Sequence, residues 1–202
     1  MPMPEGLKPG RQSLAELAAR LGRLAHGAGA IEGLTPAQWS ALRFFSLANR
    51  FSRTPSAFAA FHGTTRGTAS QIIKGLVTES LLVRRPTEAD GRSVQLELSD
   101  KARHILVNDP FEDLIRSVGR LPPETRDHFL IAVDAILTQA TFERGRRRFG
   151  NCPSCRHFSQ HREPSEGRSA FACRLMAESM EREETTELCV KFRASGGTTR
   201  PN

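Results

Sequence analysis

The stretch TRGTASQIIKGLVTESLLVRRPTEADGRSVQLELS, Thr65 to Ser99, decides how this chain is read. Thr65 is placed to cap a helix in which Ala69, Ile72, Ile73, Leu76 and Val77 recur at helical spacing and form a buried face. The other face presents Arg66, Ser70, Gln71 and Lys74. The period then changes from about 3.6 to about 2. Leu81 to Arg85 is a short strand, and Val94, Leu96 and Leu98 alternate with Gln95 and Glu97. Pro86 to Ser93, with Asp90-Gly91 inside it, is the long, polar, partly basic tip of a hairpin.

Working outward, a helix from about Ser13 to His26 carries Leu14, Leu17, Leu21 and Leu24 on one stripe. Thr35-Pro36 and Thr54-Pro55 each pair a capping residue with proline at the first helical position, so each opens a further helix. The second of these holds Phe58 and Phe61 and stops near His62-Gly63. Downstream, helix resumes from about Asp100 to Val118, and Asp109-Pro110 bends or breaks it. The last long helix starts near Pro122-Pro123, with Phe129, Ala132, Val133, Ile136, Leu137 and Ala140 as its apolar stripe. Such stripes suit dimerisation, but an intramolecular core uses the same pattern, and on the residues alone the core is the preferred reading.

Helix, tight turn, helix and basic hairpin is the order of a winged helix-turn-helix, in which the second helix enters the major groove of duplex DNA. Thr65, Arg66, Thr68, Ser70, Gln71 and Lys74 on that helix can donate to phosphates or base edges, and Arg84, Arg85 and Arg92 flank the hairpin tip. Ser56 to Ala102 resembles the DNA-binding region of MarR-type transcriptional regulators. The pieces that carry the likeness are Phe58-Ala59, Thr65-Arg66-Gly67-Thr68, Ser70, Ile72, Leu76, Leu81, Arg84-Arg85-Pro86, Asp90-Gly91-Arg92 and Leu98-Ser99. With its flanking helices the resemblance covers about residues 11–145. It implies a homodimer with intertwined terminal helices, a palindromic operator, no catalysis, and room for a small-molecule effector. Ser80, where the family commonly has glycine, Ala102, often glycine, and Lys74, often acidic, depart from its pattern.

All four cysteines of the 202-residue chain fall between Cys152 and Cys189. Their spacing, Cys152-x2-Cys155-x17-Cys173-x15-Cys189, gives one knuckle of two thiols and two later single thiols. His157 and His161 are near enough in sequence to stand in for a cysteine, although histidines in a polar loop are more often plain surface. One knuckle followed by two lone cysteines, with Phe158, Phe171 and Phe192 nearby, resembles small four-iron four-sulfur (4Fe-4S) modules of the high-potential type. An iron-sulfur cluster is the favoured cofactor, zinc the alternative, and thiols that switch by forming disulfides a third reading.

The expected fold is mainly α with a small β-hairpin wing. Residues 1–10 are a flexible start, 11–148 the winged-helix and dimerisation domain (helix-turn-helix about 54–80, wing about 81–99), 149–193 the cysteine module and 194–202 a disordered tail. Lys and Arg outnumber Asp and Glu by 21 to 15 in residues 1–150 but only 8 to 7 in residues 151–202, so the basic excess sits on the DNA-reading part. No apolar run approaches the length of a membrane span, and Met1 to Arg11 shows no secretory pattern, which makes the cytoplasm the expected location. The reading is a DNA-binding regulator whose metal site senses redox state, oxygen or iron, transmitting loss of the metal through the last helix. Its competitors are a ligand-responsive regulator with structural zinc, and an electron-transfer protein that uses the winged helix for protein contacts.

Overall fold

The computed structural model describes residues 10–26, 32–87, 90–143, 145–160 and 170–195, and at 26, 87 and 90–93 only the backbone. Helices α1 (Arg11–His26), α2 (Pro36–Leu47), α3 (Pro55–His62) and α4 (Arg66–Thr78) precede a hairpin of β1 (Leu82–Thr87) and β2 (Asp90–Leu98). Helices α5 (Asp100–Leu106), α6 (Glu112–Gly119) and α7 (Pro123–Glu143) follow. The chain ends in a small antiparallel sheet of order β3 (Phe158–Gln160), β4 (Phe171–Cys173) and β5 (Glu178–Met180). The class is mainly α with a β-hairpin wing, as expected.

Local chemistry sets the helix starts. Thr35 and Gln38 form a reciprocal capping box on α2, Thr54 Oγ1 accepts from Ala57 N–H on α3, and Thr65 Oγ1 accepts from Thr68 N–H on α4. Gly63 ends α3 in the left-handed conformation (φ 63°) that favours glycine. The helix expected over Asp100 to Val118 is indeed interrupted at Pro110. There Asp109 accepts the Phe111 N–H and pairs with Arg43 at 2.7 Å, while the Arg43 guanidinium lies over the Phe111 ring.

The core lies beneath the helix-turn-helix. Trp39, Leu42, Phe44 and Phe45 of α2 meet Phe58 of α3, Ile73 and Leu76 of α4, and Leu82 and Leu96 of the hairpin. Phe44 contacts Phe45 edge to face at 5.2 Å between ring centres and Phe58 at 5.6 Å. The long polar tip expected from Pro86 to Ser93 is corrected: backbone pairing continues to Thr87 and resumes at Asp90, with a register shift between Pro86 and Thr87. The shift leaves three residues, 91–93, extra on the β2 side, and pairing goes on beyond them.

α1, α6 and α7 bury nothing. Leu24 is 69% exposed and Ile136 61%, so the α1 and α7 stripes are not the intramolecular core that the pattern alone allowed. Ala194 and Ser195 are also not tail: Ala194 bridges Cys155, and Ser195 N–H donates to the Ser154 carbonyl at 2.9 Å. The expectations for residues 1–9 and 196–202 lie outside the described residues.

Candidate nucleic-acid interface and thiol centre

α4 is held by Ala69, Ile73 and Leu76, each at most 2% exposed, which leaves Arg66, Ser70, Gln71 and Lys74 facing solvent as expected. Thr65 and Thr68 are exposed beside them and hydrogen-bond one another at 2.9 Å through their hydroxyls, so both are partly spent on the cap. At the foot of the wing, Arg84 and Arg85 are both exposed. Successive strand residues point to opposite faces, and Arg85 is engaged with Glu97 at 3.3 Å, so Arg84 is the freer of the two. The Arg92 side chain lies outside the described residues.

The four cysteines, 37 positions apart in sequence at their extremes, meet in space. Cys152, Cys155, Cys173 and Cys189 line one small pocket, walled by Phe51, Phe158, Leu175 and Met180 and entered by Asn49 and His157. The knuckle sits on a tight turn closed by Cys155 N–H donating to the Cys152 carbonyl at 2.8 Å. Cys173 ends β4, opposite Phe158, and Cys189 N–H donates to the Gly150 carbonyl at 2.8 Å. All four are free thiols. Burial, then the neighbouring thiols Cys189, Cys155 and Cys173, push the Cys152 thiol up from 9.0 to about 12. Asn49 is fully buried at this pocket, and its Nδ2 has no hydrogen-bond partner among the described residues. Among the described residues no group of three or more His, Cys, Asp or Glu is arranged to hold one metal ion. His157 does line the pocket, although its sequence context read as plain loop; His161 lies outside the described residues.

Sequence reasoning missed where this module docks. It packs on the connection between α2 and α3: Leu188 exchanges backbone hydrogen bonds with Leu47 and Asn49, and Val190 N–H donates to the buried Ser52 hydroxyl at 2.8 Å. Arg50 pairs with Glu178 at 3.0 Å and Glu184 at 3.2 Å, and Arg53 with Glu187 at 3.5 Å. Burial raises the Glu187 carboxyl above its ordinary range, with Arg53 opposing and Glu184 adding to the rise. The last helix is tied to the segment leading into the module by Arg148, which pairs with Asp134 at 2.9 Å. The module's contact with the α2–α3 connection is therefore direct. No sequence signal marked Asn49, Phe51 or Ser52, because their partners lie more than a hundred residues away.

The order α2-α3-α4 followed by a paired wing decides the comparison with known proteins. Residues 32–93 match the MarR family model. Three solved structures share the MarR-type winged-helix fold. The DNA complex of MepR from S. aureus is 15% identical with a TM-score of 0.54, covering 65% of this chain and 96% of that one. CouR from Rhodococcus jostii RHA1, bound to p-coumaroyl-CoA, is 16% identical with a TM-score of 0.52, covering 64% and 95%. The transcriptional regulator BldR from Sulfolobus solfataricus is 18% identical with a TM-score of 0.50, covering 63% and 91%. These likenesses are of fold, and about a third of this chain lies beyond them. No curated protein matches the chain, and no described helix is long and apolar enough to cross a membrane.

Proposed function

We propose that the chain is a MarR-type DNA-binding transcriptional regulator, without catalytic activity, that reads a palindromic operator as a homodimer. The observation that carries this is α4, pinned by Ala69, Ile73 and Leu76 and presenting Arg66, Ser70, Gln71 and Lys74 beside a wing that starts at Arg84. The MepR likeness, in a DNA complex, supports the same use of the fold. Unpartnered α1 and α7 supply the dimer surface, since contiguous exposed apolar faces of this kind mark protein interfaces. A gel shift with the DNA upstream of its own coding region tests the reading: binding lost in Gln71→Ala and Arg84→Ala supports it, and no binding by the native chain rejects it.

The finer reading adds a four-cysteine iron-sulfur site that senses redox state, oxygen or iron. The donor set supports it: four thiols converge in an apolar pocket, and the orphaned Asn49 Nδ2 can donate to a metal-bound sulfur. Cys152, Cys155, Cys173 and Cys189 would hold the cluster; bound there, it supplies a one-electron redox centre. The residues' own part is to exclude water through Phe51, Phe158 and Met180, and to carry the state of the pocket to α3 through Val190 and Ser52.

Protein purified without oxygen is expected to be brown, with about four iron atoms per chain, and to lose colour in Cys173→Ser. A colourless protein with one zinc per chain overturns the cluster and leaves zinc. A small-molecule effector is supported by fold alone, through CouR bound to p-coumaroyl-CoA.

A further inference from the structure

We propose that the groove between the helix-turn-helix and the cysteine module is a second DNA-backbone site, in which Arg146, Arg147 and Lys191 hold phosphates beyond the reach of α4 and the wing. It rests on the DNA-binding reading above. The groove is open, about 560 Å³, and is lined by Thr54, Thr64, Arg66, Arg146, Arg147 and Lys191 among others, with no carboxylate in its wall. Six arginines outside the groove, Arg43, Arg50, Arg53, Arg85, Arg116 and Arg148, sit in ion pairs. None of the four cations of the groove has an ion-pair partner among the described residues, and all four are exposed.

The backbone adds to the same charge. Thr54 caps α3 and Arg66 opens α4, and neither helix has an acidic residue in its first turn, so no carboxylate there offsets the positive helix ends. Arg146 lies across the turn itself: a Cβ on Gly63 would come within 2.2 Å of its Nη1. Continuity selects the ligand. Arg66 belongs both to the groove and to the reading helix, so a duplex whose major groove receives α4 lays its flanking phosphates along Arg147 and Lys191. An open groove with four exposed cations spread along it suits a polyanion that passes through, not a small anion held in place.

Lys191 also ties this site to the thiols. It follows Cys189 by two residues, and Val190 between them is pinned by its N–H to the Ser52 hydroxyl. Whatever orders the thiol pocket therefore fixes a DNA-facing cation, and loss of that order withdraws it.

The test measures binding of a fluorescent duplex of random sequence, about 30 base pairs long, over a salt series, because each phosphate contact contributes about 0.9 to the slope of log K against log salt. Arg147→Ala/Lys191→Ala is expected to reduce the slope by about 1.8 per subunit, with the melting temperature unchanged because both side chains are exposed. Arg147→Lys/Lys191→Arg is expected to keep the native slope. If the alanine pair leaves the slope unchanged while Arg84→Ala lowers it, the groove does not touch DNA and the regulator reading stands. If the native chain fails to bind any duplex, operator DNA included, both fall.

Discussion

Ser80 holds a left-handed backbone, φ 58°, where α4 gives way to the wing. Ser80 N–H donates to the Val77 carbonyl and Leu81 N–H to that of Leu76, so the helix stops as it would with glycine there, but with a Cβ in a crowded region. That conformation costs about 1–2 kcal/mol, against about 0.5–1 kcal/mol for glycine's extra freedom in the unfolded chain. Ser80→Gly is expected to raise the urea midpoint by about 0.5–1 kcal/mol of stability at unchanged slope; an unchanged midpoint would mean that the site is unstrained. Gly150 poses the opposite case. A Cβ there would lie 2.8 Å from the ring of the buried Phe192, so Gly150→Ala overpacks the seam that holds Cys189. About 1–3 kcal/mol of docking should be lost, seen as faster proteolysis within the cysteine module and lower bound metal. Removing the Ser52 hydroxyl leaves the buried Val190 N–H without its acceptor, and Ser52→Ala is expected to cost about 1–3 kcal/mol by the same assays.

At the scale of elements, α1 and α7 carry apolar stripes that the described residues leave largely exposed. Leu14, Leu24, Leu130, Ile131, Ile136 and Leu137 are each more than half exposed. In a monomer, an acid at such a position faces water and changes little; in a dimer it is buried without a partner. Ile136→Glu should therefore halve the mass seen by light scattering and weaken operator binding, and an unchanged mass would reject α7 as the interface. The elements of the cysteine module are the reverse case. β3, β4 and β5 are three residues each, too short for a period of two to register, and the alternation that marks β2 has no counterpart in them.

Across the whole molecule, the cysteine module is the third face of the reading head. Its anchor is the α2–α3 connection, its pocket includes Asn49 and Phe51 from that connection, and its Lys191 lines one groove with Arg66 of α4. On the proposed reading, protein purified without oxygen and then freed of iron by a chelator should lose DNA affinity even as a dimer, which light scattering combined with anisotropy on one sample can separate; full affinity in that dimer would reduce the module to a structural role. The sequence by itself determined the caps at Thr35, Thr54 and Thr65, the break at Pro110, both faces of α4 and the common use of four thiols. Each of these is set by residues within a turn or two of one another, or by the reactivity of a residue type. Only the tertiary structure decided that the wing pairs to Thr87, that α1 and α7 stay uncovered, and that residues near 190 close on residues near 50. Those outcomes depend on which surfaces fit and which buried N–H groups find an acceptor, as Val190 finds Ser52, and contacts across 138 positions leave no local pattern in either partner.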